Sequence, residues 1–145
     1  MSETVGSKNR HSTKFLGLVE SLTTELLAAG DHLQGIQPPK PEFQGDFQSS
    51  LKDIAKFRGR PLFYDYIGTG VGNGPYVELE DGSVKLDLIN GIGVHIMGHS
   101  HPVAVKGAIQ GAASDIVMQG NLQPNEEYLE IQKVLSDLAG RNSRL

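Results

Sequence analysis

Apolar residues recur at helical spacing over residues 13–29, which predicts an amphipathic helix there. Ser12 or Thr13 can cap its first turn, and Gly30 can end it. The polar residues 1–12 before this helix predict a disordered leader. The apolar stripe of the helix consists of Phe15, Leu18, Val19, Leu22 and Leu26.

A Pro-rich linker follows this helix, because Pro38, Pro39 and Pro41 cannot lie inside a continuous helix. The next apolar residues predict a second, short helix over about residues 50–57. Its inward positions are expected to be Leu51, Ile54 and Phe57.

Alternating apolar and polar residues over 76–80 and 84–88 predict two strands, and Asp81-Gly82 between them indicates a hairpin turn. Pro102 fits the first position of a helix that runs to about residue 117. A last helix is expected from the Asn125 cap to about residue 139. This order of elements predicts an α+β fold without tandem βαβ units.

Composition narrows the classes of function. The chain has 145 residues, enough for one domain, and a net charge of −4. It lacks the basic face that nucleic-acid binding requires, and no apolar run approaches the roughly 20 residues that span a bilayer. The absence of cysteine excludes disulfides and thiolate metal sites. The polar N-terminus has no secretory signal, so we expect a cytoplasmic protein without a membrane or nucleic-acid partner.

Three histidines in the segment NGIGVHIMGHSHP suggest a metal site, because imidazoles are common zinc ligands. They are His95, His99 and His101. Gly98 and Pro102 flank the last two, however, and favour a loop that leads into a helix. We therefore expect these histidines to be cap and turn residues, with a metal site as a weaker alternative.

Other candidate chemistry does not form a recognisable motif. The run GTGVGNG, from Gly68 to Gly74, has the wrong spacing for a dinucleotide-binding loop and precedes a strand instead of a helix. We expect a flexible or close-packed loop there. Nothing in the sequence places two of the candidate carboxylates together; these are Asp53, Asp65, Glu78 and Asp87.

The order of motifs over about residues 60–140 resembles the N-terminal region of class III aminotransferases, the pyridoxal-phosphate enzymes related to acetylornithine and ornithine aminotransferases. That family has a G-x-Y/W, a hairpin with D-G at its turn, an L-D, a glycine-bearing loop and G-H-x-H-P at a helix start. A later S-N-L-x-x-N segment has Gly120 here in place of serine. The matching residues are Gly74, Tyr76, Asp81-Gly82, Leu86-Asp87, Asn90–Gly93, Gly98–Pro102 and Gly120–Asn125.

The resemblance implies a fold type I transferase that uses pyridoxal 5′-phosphate and acts as a homodimer with active sites at the subunit interface. It places Gly91, Ile92 and Gly93 against the substrate, and Asn121 in a segment near the active site. The substrates it implies are an amino acid or amine and a keto acid.

The resemblance also implies that the phosphate-binding loop and the Schiff-base lysine lie beyond Leu145, because no lysine here has the matching context. The chain would then be an N-terminal fragment without catalytic or cofactor-binding residues of its own, and inactive alone. Residues 1–58 would be an N-terminal extension, and residues 59–145 the first segment of the aminotransferase fold.

Two other hypotheses are open. The chain can be a self-standing, non-catalytic interaction module that docks through the helix at residues 13–29. A metal protein that depends on its histidines is the third and weakest hypothesis.

Overall fold

The computed structural model describes residues 4–113 and 124–140. The chain divides into two compact units, residues 1–110 and residues 111–145. The described helices and strands confirm the predicted α+β class. They are α1 (Val5–Arg10), α2 (Thr13–Ala28), α3 (Gln44–Arg58), β1 (Gly68–Asn73), β2 (Tyr76–Leu79), β3 (Val84–Leu86), α4 (Pro102–Ala112) and α5 (Glu126–Gly140).

The N-terminal helices differ from the prediction at one point. The disordered leader predicted over residues 1–12 is wrong for the described part, because Val5–Arg10 forms α1, and the hydroxyl of Thr4 accepts the Ser7 N–H at 3.2 Å. Helix α2 begins where its cap predicts, since the Ser12 hydroxyl accepts the Phe15 N–H at 3.1 Å.

Helix α3 begins earlier than the sequence predicts. A 3-10 turn over Pro41–Phe43 leads directly into Gln44, six residues before the expected start. Proline is compatible with a first helical turn, so Pro41 opens this helical segment instead of blocking it. The inward position predicted for Phe57 is also wrong: its side chain is 83% exposed, whereas Phe47 is 5% exposed.

Three antiparallel strands form one sheet in the order β1-β2-β3. The hairpin β2–β3 pairs Val77 with Lys85, and Gly82 at its turn has φ 73°, which confirms the Asp81-Gly82 signal. The loop predicted for GTGVGNG is wrong, since Gly68–Asn73 forms β1 and Gly74 pairs with His99. An irregularity in the β1–β2 pairing between Gly68 and Gly72 breaks the regular ladder there.

The Pro-rich linker lies along the outer edge of β3. Gln37 and Val84 exchange backbone hydrogen bonds of 3.0 and 3.1 Å, and the Lys40 N–H donates to the Asp81 carbonyl at 2.9 Å. These bonds satisfy backbone groups that an edge strand otherwise leaves open.

The buried apolar core is small, and its residues come from α2, α3, the sheet and the segment between α2 and α3. Val19 is the residue of the α2 apolar stripe that belongs to this core, while Leu18, Leu22 and Leu26 of that stripe remain exposed. Within the described residues, the buried apolar side chains are Val19, Leu33, Phe47, Val77, Leu79 and Val84.

Helix α5 in the second unit begins as predicted, because the side-chain oxygen of Asn125 accepts the Tyr128 N–H at 2.9 Å. The predicted end of α4 near residue 117 falls outside the described residues. In the part of the chain that the structure describes, no helix is long and apolar enough to cross a membrane.

Candidate functional site

The candidate site lies where the chain leaves the hairpin. Asp87 follows β3 directly, and its N–H donates to the Pro75 carbonyl at 2.8 Å, so the pairing of the hairpin continues to this residue. The chain then turns sharply through residues 90–93 and returns to the sheet at His99, which pairs with Gly74. Asp87 and His99 are thereby brought together across 12 positions of sequence.

The Asp87 carboxylate accepts hydrogen bonds from three successive backbone amides. Oδ1 accepts from Ile89 at 2.9 Å and from Asn90 at 2.8 Å, and Oδ2 accepts from Gly91 at 3.2 Å. Oδ2 also lies 2.8 Å from Nε2 of His99. The hydrogen bond with His99, followed by those from the backbone, lowers the pKa of Asp87 below its ordinary value, so the carboxylate is charged at neutral pH.

Residues 90–93 form a left-handed turn. The φ angles of Asn90, Gly91, Ile92 and Gly93 are 55°, 58°, 60° and 81°. Glycine adopts this region freely and asparagine tolerates it, but for a β-branched residue such as Ile92 it is an unfavourable conformation that the surroundings must enforce. The Ile92 N–H donates to the Ile89 carbonyl at 3.0 Å, and the His95 N–H donates to the Asn90 carbonyl at 3.1 Å.

His99 is held by its backbone and by its ring. It exchanges two backbone hydrogen bonds with Gly74, at 2.8 and 3.1 Å, and its ring centroid lies 4.0 Å from that of His95. A Cβ added at Gly72 would lie 2.7 Å from the His99 Cβ, so only glycine leaves room there. Asp87 and His99 are both largely buried, with side chains 17% and 15% exposed.

The predicted role of His99 as a helix-start residue is therefore wrong, because its ring binds Asp87 instead. His95 stacks on His99, and Pro102 begins α4 as predicted. Across residues 4–113 and 124–140, no group of three histidine or carboxylate side chains is placed to hold a metal ion.

An open cavity of about 700 Å³ lies beside Asp87. Gly91 and Asp87 form one side of it, and Arg58, Tyr64, Tyr66 and Leu88 contribute to the rest. Burial and the negative charge of Asp87 raise the pKa of Tyr66 above its ordinary value, so this phenol is protonated at neutral pH and can donate a hydrogen bond.

The site residues that the sequence predicts have different surroundings in the structure. Gly91 lies at the cavity and donates to Asp87. The Ile92 side chain is 90% exposed, and Gly93 completes the turn. Asn121 lies outside the described residues.

Sequence analysis missed the Asp87–His99 pair. One local signal for Asp87 was present, since aspartate commonly accepts the N–H two residues further on and starts a turn. No local pattern connects Asp87 with His99, because their contact depends on how the hairpin and the segment 94–99 pack.

Comparison with known proteins finds transaminases. The chain is 35% identical over 66 residues to an acetylornithine aminotransferase of Caldanaerobacter subterraneus subsp. tengcongensis, which covers 46% of the chain and 16% of that protein. It is 28% identical over 120 residues to an acetylornithine aminotransferase of Methanosarcina acetivorans, which covers 82% of the chain and 27% of that protein.

A third relative is also named as a transaminase. The chain is 42% identical over 65 residues, 45% of its length, to a Pyrococcus horikoshii protein whose name gives it as a LysW-aminoadipate semialdehyde/glutamate semialdehyde transaminase. Neither a family model nor a solved structure matches the chain. The resemblance seen in the motifs is confirmed at this level: the chain is similar to acetylornithine aminotransferases and related transaminases, and it spans 16% to 27% of the length of these three relatives.

Proposed function

We propose that the chain is the N-terminal part of a class III transaminase of fold type I, which uses pyridoxal 5′-phosphate to move an amino group between an amino acid or amine and a keto acid. The similarity to aminotransferases is the observation that carries this proposal. The hairpin, the glycine turn and helix α4 occur in the order of the family's motifs, which supports it. In this proposal the whole enzyme is a cytoplasmic homodimer, and the similarity over 120 residues to the Methanosarcina protein reaches into residues 1–58.

We propose that the turn Gly91–Gly93 forms part of the wall of the substrate pocket. Two observations support this role. Gly91 lies at the cavity beside Asp87, and the 90% exposed side chain of Ile92 is free to contact another molecule. Glycines on either side of Ile92 let a substrate approach the backbone closely. Asn121 is proposed to lie near the same pocket in the whole enzyme.

We propose that the described residues do not hold the cofactor on their own. When bound, pyridoxal phosphate supplies the electron sink for amino-group transfer, but it needs a lysine, a holder for its phosphate and a partner for its ring nitrogen. Among the described residues that line the cavity, Lys85 is the one lysine. The carboxylate there, Asp87, already binds His99 and three amides. We therefore propose that residues outside this chain hold the cofactor and that the chain alone is inactive.

Inactivity of the chain alone can be tested directly. The 145-residue chain is mixed with pyridoxal phosphate, reduced with borohydride, digested and analysed by mass spectrometry. We expect scattered, substoichiometric labelling of exposed lysines, with no transamination of amino donors. Stoichiometric labelling of one lysine, or measurable turnover, would contradict the proposed inactivity.

The enzyme proposal itself is tested by the DNA that follows codon 145. We expect it to encode a phosphate-binding loop, an aspartate for the ring nitrogen and a lysine for the cofactor. The longer product should then transfer amino groups from a panel of amino donors that includes acetylornithine. A downstream sequence without these elements refutes the proposal.

A non-catalytic interaction module is the second candidate, and the exposed apolar stripe on α2 is the observation that favours it. Leu18, Leu22 and Leu26 are each about half exposed or more. A contiguous apolar surface of this kind usually contacts another molecule or another domain. Sedimentation and thermal melting distinguish the candidates: a monodisperse, cooperatively melting monomer favours a module, whereas aggregation favours a segment that packs against the rest of an enzyme.

A further inference from the structure

The turn at residues 90–93 lacks the packing that usually fixes an unfavourable backbone conformation. Ile92 is 90% exposed, and Ile89 on the approach to the turn is 63% exposed. Burial of these side chains therefore contributes little to holding the turn. Because Asn90 and Ile92 both adopt positive φ, some other interaction must select the left-handed conformation.

The Asp87 carboxylate supplies that interaction. It accepts the N–H groups of Ile89, which precedes the turn, and of Asn90 and Gly91, the first two residues of the turn. These amides converge on one carboxylate because the chain curls around it at Ile89 and Asn90, and the Ile92 and His95 N–H groups then continue the turn through bonds to the Ile89 and Asn90 carbonyls. Hydrogen bonds to a charged acceptor are stronger than those between neutral groups.

The carboxylate is itself fixed by His99. The 2.8 Å contact to Nε2 leaves Asp87 little freedom to rotate away from the amides. His99 in turn is joined to the sheet through Gly74 and is stacked against His95. A continuous set of contacts thus connects the rigid hairpin to the exposed turn.

We propose that Asp87, held by His99, is the positioning residue of the turn Asn90–Gly93: it fixes the amides at the start of the turn, from which the backbone bonds of Ile92 and His95 continue the left-handed conformation that presents Ile92. This inference rests on the proposed function only where it makes Ile92 a substrate contact. The order of the turn is a property of the chain itself. Asp87 acts on the turn through backbone amides, and the identity of the side chain at position 92 does not enter these bonds.

Amide hydrogen exchange of the 15N-labelled full chain tests the proposal. We expect Asp87→Ala to speed the exchange of the Asn90 and Gly91 amides by roughly tenfold or more, since a charged acceptor is lost. Asp87→Asn should have a smaller effect, because its side-chain oxygen still accepts. Asp65→Ala is the matched control: Asp65 is exposed and its side chain makes no hydrogen bond or ion pair among the described residues, so the exchange rates should not change.

Variants of His99 test the second half of the proposal. His99→Ala should also speed exchange at these amides, and His99→Gln should restore part of the protection, because glutamine keeps a donor near Asp87. Unchanged exchange at residues 89–91 in Asp87→Ala, with Asp65→Ala as reference, overturns the positioning role. Equal effects of His99→Gln and His99→Ala overturn the role of His99.

A titration of the unmodified chain keeps the test independent of whether the variants fold. The charged or titratable groups around the carboxylate are His99, His95 and Tyr66, together with Arg58, Tyr64 and Lys85 on the cavity beside it. Carboxyl groups ordinarily titrate near pH 4, so shifts of the 89–91 amide protons below pH 5 report on carboxylates. We expect these amide shifts to follow the 13C shift of the Asp87 carboxyl, and independent titration overturns the proposal. None of these measurements involves cofactor or substrate, so a failed search for transaminase activity leaves their result unaffected.

Discussion

Substitutions at residue 92 test whether the turn is left-handed. Ile92 has φ 60° and ψ 44°, and its side chain is 90% exposed. Because so little of the side chain is buried, its removal costs little hydrophobic stabilisation, and the backbone conformation dominates the effect. We compare Ile92→Gly with Ile92→Ala, since both variants lose the isoleucine side chain and differ only in the Cβ.

The expected difference follows from two opposing contributions. A left-handed backbone costs a residue with a Cβ about 1–2 kcal/mol, a cost that glycine avoids. Glycine loses more conformational entropy on folding, which costs roughly 0.5–1 kcal/mol relative to alanine. Ile92→Gly should therefore be more stable than Ile92→Ala by up to about 1.5 kcal/mol, with a midpoint of about 0.8 kcal/mol. In ordinary helix or strand conformation the alanine variant would be the more stable one.

Urea unfolding followed by circular dichroism measures this difference, and Gly17→Ala provides the control. Gly17 lies in the right-handed helix α2, and an added Cβ meets nothing within 4 Å. Alanine should therefore stabilise position 17 by roughly 0.5–1 kcal/mol. The reasoning fails if Ile92→Ala is as stable as Ile92→Gly while the control behaves as expected.

Three further predictions concern the surroundings of the turn and the hairpin. Gly72→Ala should destabilise the chain by about 1–3 kcal/mol in urea unfolding, because its Cβ would lie 2.7 Å from the His99 Cβ, whereas Gly107→Ala on α4 meets nothing within 4 Å and should not. Asp81→Ala should lower the free energy of unfolding by about 1–3 kcal/mol, because buried Ser83 loses its 2.6 and 2.9 Å hydrogen bonds. The melting temperature should fall as the pH is lowered. Burial raises the pKa of Asp81, but hydrogen bonds from Ser83 lower it overall. The pKa of Asp87 is lowered mainly by its hydrogen bond with His99. Both carboxylates therefore stabilise the fold fully above their ordinary pKa near 4 and lose this contribution as pH falls through their lower folded values. Asp81→Asn should make the melting temperature less dependent on pH. A melting temperature that rises below pH 4 contradicts this prediction.

Local signals predicted the parts of the fold that neighbouring residues decide. The Ser12 and Asn125 caps marked the starts of α2 and α5, because a cap acts within one helical turn. Asp81-Gly82 marked the hairpin, because the turn needs a positive φ at Gly82. Each of these signals depends on residues within three or four positions of each other.

Signals that depend on distant packing were missed. Strand β1 was predicted as a loop, because its glycines have weak strand preference; pairing with β2 and the close approach of His99 make glycine suitable there. The start of α3 was placed too late, because the 3-10 turn at Pro41 depends on contacts with the hairpin, such as that between Lys40 and Asp81. The site was likewise predicted only in part, because the contact between Asp87 and His99 depends on how distant segments pack.

In this site, backbone hydrogen bonds hold the turn, whereas the side chain at position 92 takes no part in them. Asp87 binds the turn through backbone amides and is itself held by His99, so the side chain at position 92 can change without breaking those bonds. Glycine suits position 91, because its φ is 58° and an added Cβ would lie 2.5 Å from Cδ2 of His95. If the turn forms part of a substrate pocket, as proposed, residue 92 can vary to suit the substrate while Asp87, Gly91 and His99 keep its position fixed. Exchanging Ile92 for other side chains should then alter substrate preference in the whole enzyme and leave the amide exchange at Asn90 and Gly91 unchanged.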